Sequence, residues 1–327
     1  MKHLFIINPV AYRVKRRVNT IKKNIDTFFK DYPGIEYEIF VTKWSRDAVS
    51  YIRKYISKRD EQNNNDIIRV HSLGGTGTFF EVVSGVVGLK NVEIASYPYG
   101  KGNVFLRYFD PDYKKMFYSL KAQVFSTTIP MDVITNGNHY GVCNAILGLE
   151  ARASVLGYKI ISRGVPMDIG FLLGAAGTIL GGNYGQRYNI SIDNKDIDGE
   201  YTSILIANVP CYSIGMYPAV DAHPDDGVLD IYLFKKCSRT RLLRSMLTYA
   251  YGNYQKLPDL CTHYTGRKFT ISSDETIFVS IDGESLYTMS GEYEVVPGAV
   301  QFAVPGEIDL TKLPKIFNNP KEGLRNA

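Results

Sequence analysis

The hydrophobic pattern of the chain changes character once, near residue 125. Before that point, short apolar runs alternate with stretches of helical period. His3 to Asn8 reads as a buried strand that exits at Asn8-Pro9. Val14, Val18, Ile21, Ile25, Phe28 and Phe29 then recur at helical spacing, stopped by Pro33-Gly34, which predicts an amphipathic helix. Ile35 to Val41 alternates as a second strand, and Ser45 to Lys58 returns to the helical period through Ala48, Ile52, Tyr55 and Ile56. Asp66 to Leu73 is a third strand. It runs through Gly74, Gly75 and Gly77 into a helix carrying Val82, Val83, Val86 and Val87, and Val92 to Tyr97 makes a fourth strand. Strands taking turns with helices predict a mostly parallel sheet covered on both faces.

After residue 125 the pattern becomes alternating strands with turn dipeptides. Ile129–Ile134 and Tyr140–Leu147 flank Asn136-Gly137, a hairpin signal. A single helical stretch, Pro166 to Leu180, comes next. Strands are expected at Arg187–Ile192, Tyr201–Val209, Val228–Phe234, Lys268–Ser272, Thr276–Ile281 and Glu292–Val296, with one more helix at Arg239–Tyr254. The second half thus reads as antiparallel β with two helices, and the apolar residues of Phe171–Leu180 read as core. The expected division is an α/β domain over 1–125, a β-rich domain over 126–307, and a tail, 308–327, whose Leu310, Leu313, Ile316 and Phe317 would pack back on the first domain.

Composition narrows the class. At 327 residues, 45% apolar and 22% charged, the chain supports two cores of an ordinary globular kind. The apolar start is too short for a signal peptide, so a cytoplasmic protein is expected. The block Phe171–Leu180 is too short and too glycine-broken to span a bilayer. Four scattered cysteines, Cys143, Cys211, Cys237 and Cys261, show no zinc or disulfide spacing and read as reduced, mostly buried thiols. The net charge of +5 is densest at Arg13, Lys15, Arg16, Arg17, Lys22 and Lys23, placed by the pattern on the first helix. That run reads first as a solvated face, and second as a patch that could dock on anionic lipid. The 24 tyrosines are too evenly spread for a nucleic-acid stacking platform, so no nucleic-acid partner is expected. His71, within the third strand, reads as a packed residue rather than a ligand.

The candidate chemistry lies at the strand exits. Gly74, Gly75 and Gly77 free the backbone N–H groups to approach an anion, and the following helix points the positive end of its dipole at the same place. The glycines alone would equally suit a tight turn that binds nothing. A second glycine-rich turn, Tyr97-Pro98-Tyr99-Gly100-Lys101-Gly102-Asn103, follows the fourth strand, and two such turns on one sheet edge point to phosphate. Asp282-Gly283-Glu284, taken alone, is an ordinary hairpin turn, and Asp225-Asp226-Gly227 a turn before a strand.

Taken in order, these residues resemble the diacylglycerol kinase catalytic family, which includes bacterial soluble lipid kinases, sphingosine kinases and ceramide kinases. The resemblance covers most of the chain. It rests on Asn8-Pro9, Thr42, Gly-Gly-x-Gly-Thr-x-x-Glu-Val-Val at 74–83, Pro98-x-Gly-x-Gly-Asn at 98–103, Asn144 to Ala151, Asp225 to Asp230 and Ile281-Asp282-Gly283-Glu284. It implies an N-terminal, mostly parallel α/β nucleotide domain of the NAD kinase and diacylglycerol kinase type, followed by a β-sandwich-like domain. It also implies an ATP-dependent lipid kinase using Mg2+ and acting on a lipid alcohol at the membrane surface. By resemblance, ATP phosphates lie on Gly74, Gly75, Thr76, Gly77, Thr78 and Glu81, with Asn8, Pro9, Tyr12, Thr42, Gly100, Lys101 and Asn103 around the nucleotide. Glu284 is then the general base, with Asp282 beside it. Asp132 matches a residue near the catalytic magnesium, and Asp226, with the carbonyls of His223 and Val228, matches a structural magnesium loop. Family members often dimerise, which leaves a homodimer open to this chain.

Two positions depart from the family. Thr76 stands where the pattern has an aspartate, and Val104 where bacterial members often have another. Aspartates hold the metal that neutralises charge on the β- and γ-oxygens, so the sequence keeps scaffold and base while losing metal-holding charge. A working lipid kinase, a degenerate nucleotide- or lipid-binding protein of the same fold, and a kinase of another small hydroxyl substrate all remain open, the last least favoured.

Overall fold

The computed structural model describes residues 1–306 and 308, except 12, 63, 101–102, 110–112, 183 and 212–215. In chain order the elements are β1 (Lys2–Ile7), α1 (Val18–Lys30), β2 (Glu36–Val41), α2 (Asp47–Glu61), β3 (Ile68–Gly74), α3 (Thr76–Val86), β4 (Val92–Pro98), α4 (Tyr113–Phe117), α5 (Leu120–Val124), β5 (Thr127–Thr135), β6 (Tyr140–Gly141) and β7 (Asn144–Gly148). There follow α6 (Leu149–Ile161), α7 (Met167–Gly181), β8 (Gln186–Ile192), β9 (Lys195–Asp196), β10 (Gly199–Ala207), β11 (Leu229–Lys235), α8 (Arg239–Ala250), β12 (Cys261–Gly266), β13 (Lys268–Ile281) and β14 (Glu284–Val304).

The chain divides into two compact units. The first holds residues 1–132 and takes up the chain again from Gly298; the second holds 133–297. The expected boundary at 125/126 therefore lies seven residues early by this division, because β5 belongs to the first unit as far as Asp132. The return to the first unit starts at Gly298, ahead of the expected tail, because the end of β14 pairs with β4 through Gln301↔Glu93 and Phe302↔Ile94. The tail itself lies outside the described residues beyond Ile308.

In the first unit the strand order is β14-β4-β3-β1-β2, every pair parallel, as the alternation of strands and helices requires. All of β3 is buried. Phe5, Ile7 and Leu73 meet Ile21, Ile25 and Phe29 of α1 in one core cluster. That helix starts later than its period implied. Arg16 takes φ 69°, so residues up to Arg17 form turns, and Val14 is buried from that loop. Of the six basic residues expected on the helix, only Lys22 and Lys23 are in it. His71 is indeed packed: it is fully buried, its Nε2 stands 2.8 Å from Nδ1 of His3, and its Nδ1 lies 3.3 Å from the Tyr97 hydroxyl.

The second unit is antiparallel in the order β12-β11-β10-β7-β13-β14, with β8 pairing both β10 and β13. One core cluster joins Leu149 and Ala151 of α6, Ile179 of α7 and Leu242 and Tyr249 of α8 to Leu205, Tyr232 and Phe278 of the strands. Helix α6 was not anticipated, and neither was β12. The two strands expected at 268–281 are a single strand whose register shifts between Ser272 and Ile277. The expectation that Phe171–Leu180 is core holds for Ile179 and fails for Leu172, Leu173 and Leu180, which are exposed. The inner face of α7 is spent on glycine-mediated contact with α6: a Cβ at Gly174 would stand 2.6 Å from both Ala153 O and Gly157 N. Its leucines are left on the outside. All four cysteines are free, three of them buried.

Candidate active site

The first glycine turn is shaped by what a side chain would hit. Gly75 is the N-cap of α3 in extended conformation, with no side-chain cap, so the first-turn N–H groups have no partner within the helix. A Cβ at Gly74 would stand 2.2 Å from Thr78 Oγ1, and one at Gly100 would stand 2.3 Å from Gly75 Cα. Those two glycines let strand, helix and second turn close on one another. Gly77 differs: nothing lies within 4 Å of the Cβ it lacks, so space stands open beside the first turn of the helix.

Neutral side chains lace the surrounding exits together. Asn8 Nδ2 donates to Thr78 Oγ1 at 2.9 Å, and Asn8 Oδ1 accepts the Val10 N–H at 3.1 Å. Thr42 is buried, its N–H donating to Ile7 O at 2.9 Å. Asn103, at φ 45°, closes the second turn by donating from Nδ2 to Gly100 O at 2.9 Å. Thr76 Oγ1 accepts the Val104 N–H at 3.4 Å, so the two positions that depart from the family aspartates face each other. Glu81 Oε1 accepts the N–H of Arg46, a non-glycine residue in the left-handed region at φ 63°; Glu81 thus fixes a loop. Pro9 is half-buried beside Asn8. Tyr12 and Lys101 lie outside the described residues.

In the second unit the Asp282 carboxylate is taken up by backbone. It accepts N–H groups from Val142 at 2.6 Å, Cys143 at 3.0 Å and Asn144 at 2.9 Å. Burial pushes its pKa up to about 6, and those donors pull the other way. Asp282 and Gly283, at φ 46° and 93°, form the two-residue turn that pairs Ile281 with Glu284. Glu284, the other acid of this turn, is half-buried. The sequence places Asp282 beside the candidate base Glu284 but does not disclose its three donors. Asp226 Oδ1 accepts the Val228 N–H at 3.1 Å across Gly227, at φ 73°, and half-buried His223 lies earlier in the same loop.

The donor set at the glycine turns fits a phosphate: backbone N–H groups, a helix N-terminus and open space. The acids do not fit a preformed catalytic metal cluster. Among the described residues no three His, Cys, Asp or Glu side chains gather as ligands, and Asp132 is buried with Oδ1 accepting the Gly298 N–H at 2.7 Å.

Residues 2–135 match the diacylglycerol kinase catalytic domain, and residues 144–304 match the YegS C-terminal NAD kinase beta sandwich-like domain. A Staphylococcus aureus (strain MRSA252) protein named "Putative lipid kinase SAR0780" is 27% identical over 281 residues, covering 80% of this chain and 90% of that protein. Two solved Bacillus anthracis (strain Sterne) structures share the fold. A "putative diacylglycerol kinase" has a TM-score of 0.70 at 23% identity, covering 92% of this chain and 96% of the other. A "diacylglycerol kinase" has a TM-score of 0.64 at 20% identity, covering 94% and 98%.

Proposed function

Because this chain belongs to the diacylglycerol kinase catalytic domain family, followed by the family's β-sandwich-like domain, we propose that it transfers the γ-phosphate of ATP to the hydroxyl of a lipid alcohol. The observation that carries the nucleotide part is the glycine cradle. Gly74 and Gly100 are required by packing, while Gly77 costs helix stability for no packing reason and leaves space where a phosphate oxygen would reach the first-turn N–H groups. Asn8, Thr42, Thr76, Thr78 and Asn103 hold that cradle in shape with neutral groups. Glu284 is the residue assigned to take the proton of the attacking hydroxyl, and Asp282, held by three N–H donors, positions the turn that presents it. Magnesium would arrive with the nucleotide and neutralise phosphate charge. Asp226, with the carbonyls of His223 and Val228, is the loop proposed for a structural ion.

The acceptor brings a membrane surface into the proposal. No helix among the described residues is long and apolar enough to cross a bilayer. However, Ile169, Leu172, Leu173 and Leu180 stand exposed at helical spacing along one face of α7, with Lys159 and Arg163 exposed on the preceding segment. Peripheral docking through that face suits an enzyme that must meet a lipid.

A second reading, a nucleotide- or lipid-binding protein without transfer, is favoured by Thr76. Its hydroxyl is given to the Val104 N–H where a metal-holding carboxylate would stand. One experiment separates the two: titration with ATP in magnesium and in EDTA, with a phosphate-transfer assay on a mixed lipid extract. The kinase reading expects a phosphorylated lipid that disappears in Glu284→Gln. Binding without product supports the second reading, and absence of nucleotide binding rejects the kinase and leaves of the second reading only a lipid-binding protein.

A further inference from the structure

The chain has one tryptophan, Trp44, and it is 65% exposed. Its indole makes no ring or polar contact among the described residues. The loop that carries it is nonetheless fastened on both sides. Thr42 N–H is bonded to Ile7 O at the end of β1, and the Lys43 N–H donates to Asp47 Oδ2 at 2.8 Å. Arg46 is held at φ 63° by Glu81, which lies in the second turn of α3, just beyond the glycine turn. Loop strain of this kind persists only where surrounding contacts over-determine it. The loop is therefore pinned to the two elements that flank the cradle: β1, whose next residue Asn8 bonds Thr78, and α3, whose first turn is the cradle.

A rigid loop that displays a bare indole beside a phosphate cradle is a stacking platform. Phosphate contacts do not use an indole, whereas a nucleobase offers a flat π-face of matching size. The tyrosines at the second turn are already committed: Tyr97, Tyr99 and Tyr118 pack on one another, and the Arg13 guanidinium lies over Tyr118. We propose that Trp44 stacks on the base of the bound nucleotide, adding affinity that phosphate contacts do not supply. The inference rests on the nucleotide reading of the cradle and goes beyond it in naming the base contact.

Because Trp44 is the chain's sole tryptophan, its fluorescence reports the contact directly. The test titrates the full chain in magnesium buffer with ATP and, separately, with inorganic tripolyphosphate, following fluorescence and heat. ATP is expected to quench Trp44, while tripolyphosphate binds without quenching. Trp44→Ala is expected to weaken ATP binding roughly 5- to 150-fold, the range that one base on one ring provides, and to leave tripolyphosphate binding unchanged. Trp44→Phe should keep most of the ATP affinity. ATP binding by heat with no quench, and with equal affinity in Trp44→Ala, overturns the stacking while sparing the cradle. If neither ATP nor tripolyphosphate binds, the nucleotide reading falls and the inference with it.

Discussion

The glycine turns of the first unit and the Asp282 turn of the second are built on opposite plans. At Gly74–Thr78 the protein removes side chains and leaves backbone donors open, and the groups that brace the turn, Asn8, Thr76, Thr78 and Asn103, carry no charge. At Asp282 the protein buries a charge-bearing group and uses three backbone donors to satisfy it. Open donors are left available to an anion from outside; occupied donors hold the fold. The contrast teaches that the more conspicuous acid is not by that fact the reactive one. Asp282 is consumed by its own chain, and on the proposed function its role is to position Glu284.

The contrast breaks most visibly if Asp282 proves dispensable to stability. Asp282→Ala would leave the N–H groups of Val142, Cys143 and Asn144 without their acceptor, at a cost of roughly 3–5 kcal/mol. Glu284→Gln, on the same turn, should change stability by less than about 0.5 kcal/mol. Urea unfolding of the two variants decides the matter. Equal midpoints would remove the structural assignment of Asp282.

Acid acts oppositely on the two units, because buried groups in them titrate in opposite senses. In the first unit burial, with Arg69 nearby, lowers the His3 pKa from 6.5 to about 4 and holds fully buried His71 well below its ordinary value. As pH falls from 6.5 to 4, the unfolded chain takes up protons that the folded chain refuses. Stability is lost over that window, on the order of 3 kcal/mol through His3. Asp282, raised from 3.8 to about 6, behaves in reverse: its folded form holds a proton more tightly than the unfolded chain, so acidification from 6 toward 4 relieves its burial. Hydrogen exchange between neutral pH and about pH 4.5 should therefore show β1 and β3 losing protection relative to β7. Uniform loss across both units would contradict the opposed titrations.

The same comparison explains what the sequence disclosed. The cradle was legible because it is local: strand, glycines and helix lie within a dozen residues, and glycine punctuates strongly. The two-residue turn at Asp282-Gly283 was legible for the same reason. What Asp282 does was hidden, since its donors lie about 140 residues earlier in the chain and meet it through tertiary pairing alone. Helix α6 escaped because Ala145-Ile146-Leu147 runs into Leu149 with no polar cap; the switch from strand to helix is made by Gly148 at φ 82°, whose Cβ would strike Thr202 O at 2.7 Å. The late start of α1 escaped because Arg16, rather than a glycine, takes the left-handed conformation. Leu172 and Leu173 read as core in the sequence because apolar character does not reveal which helix face is already used by glycines.

The finest division lies inside the cradle, between glycines that the fold needs and a glycine that it does not. Gly100→Ala would push a Cβ to 2.3 Å from the backbone of Gly75, and backbone does not give way cheaply, so a loss of about 1–3 kcal/mol in stability is expected along with weaker nucleotide binding. Gly77→Ala meets nothing within 4 Å and sits in a helix, where alanine is favoured by up to about 1 kcal/mol. Its fold should be as stable as the parent or slightly more so. Yet if phosphate oxygens reach the N–H groups of that first turn, the new methyl occupies their approach, and ATP affinity falls while the urea midpoint does not. Loss of binding without loss of stability at Gly77, against loss of both at Gly100, would mark which part of the turn faces the ligand. Unchanged ATP affinity in Gly77→Ala would instead move the phosphates away from the α3 terminus.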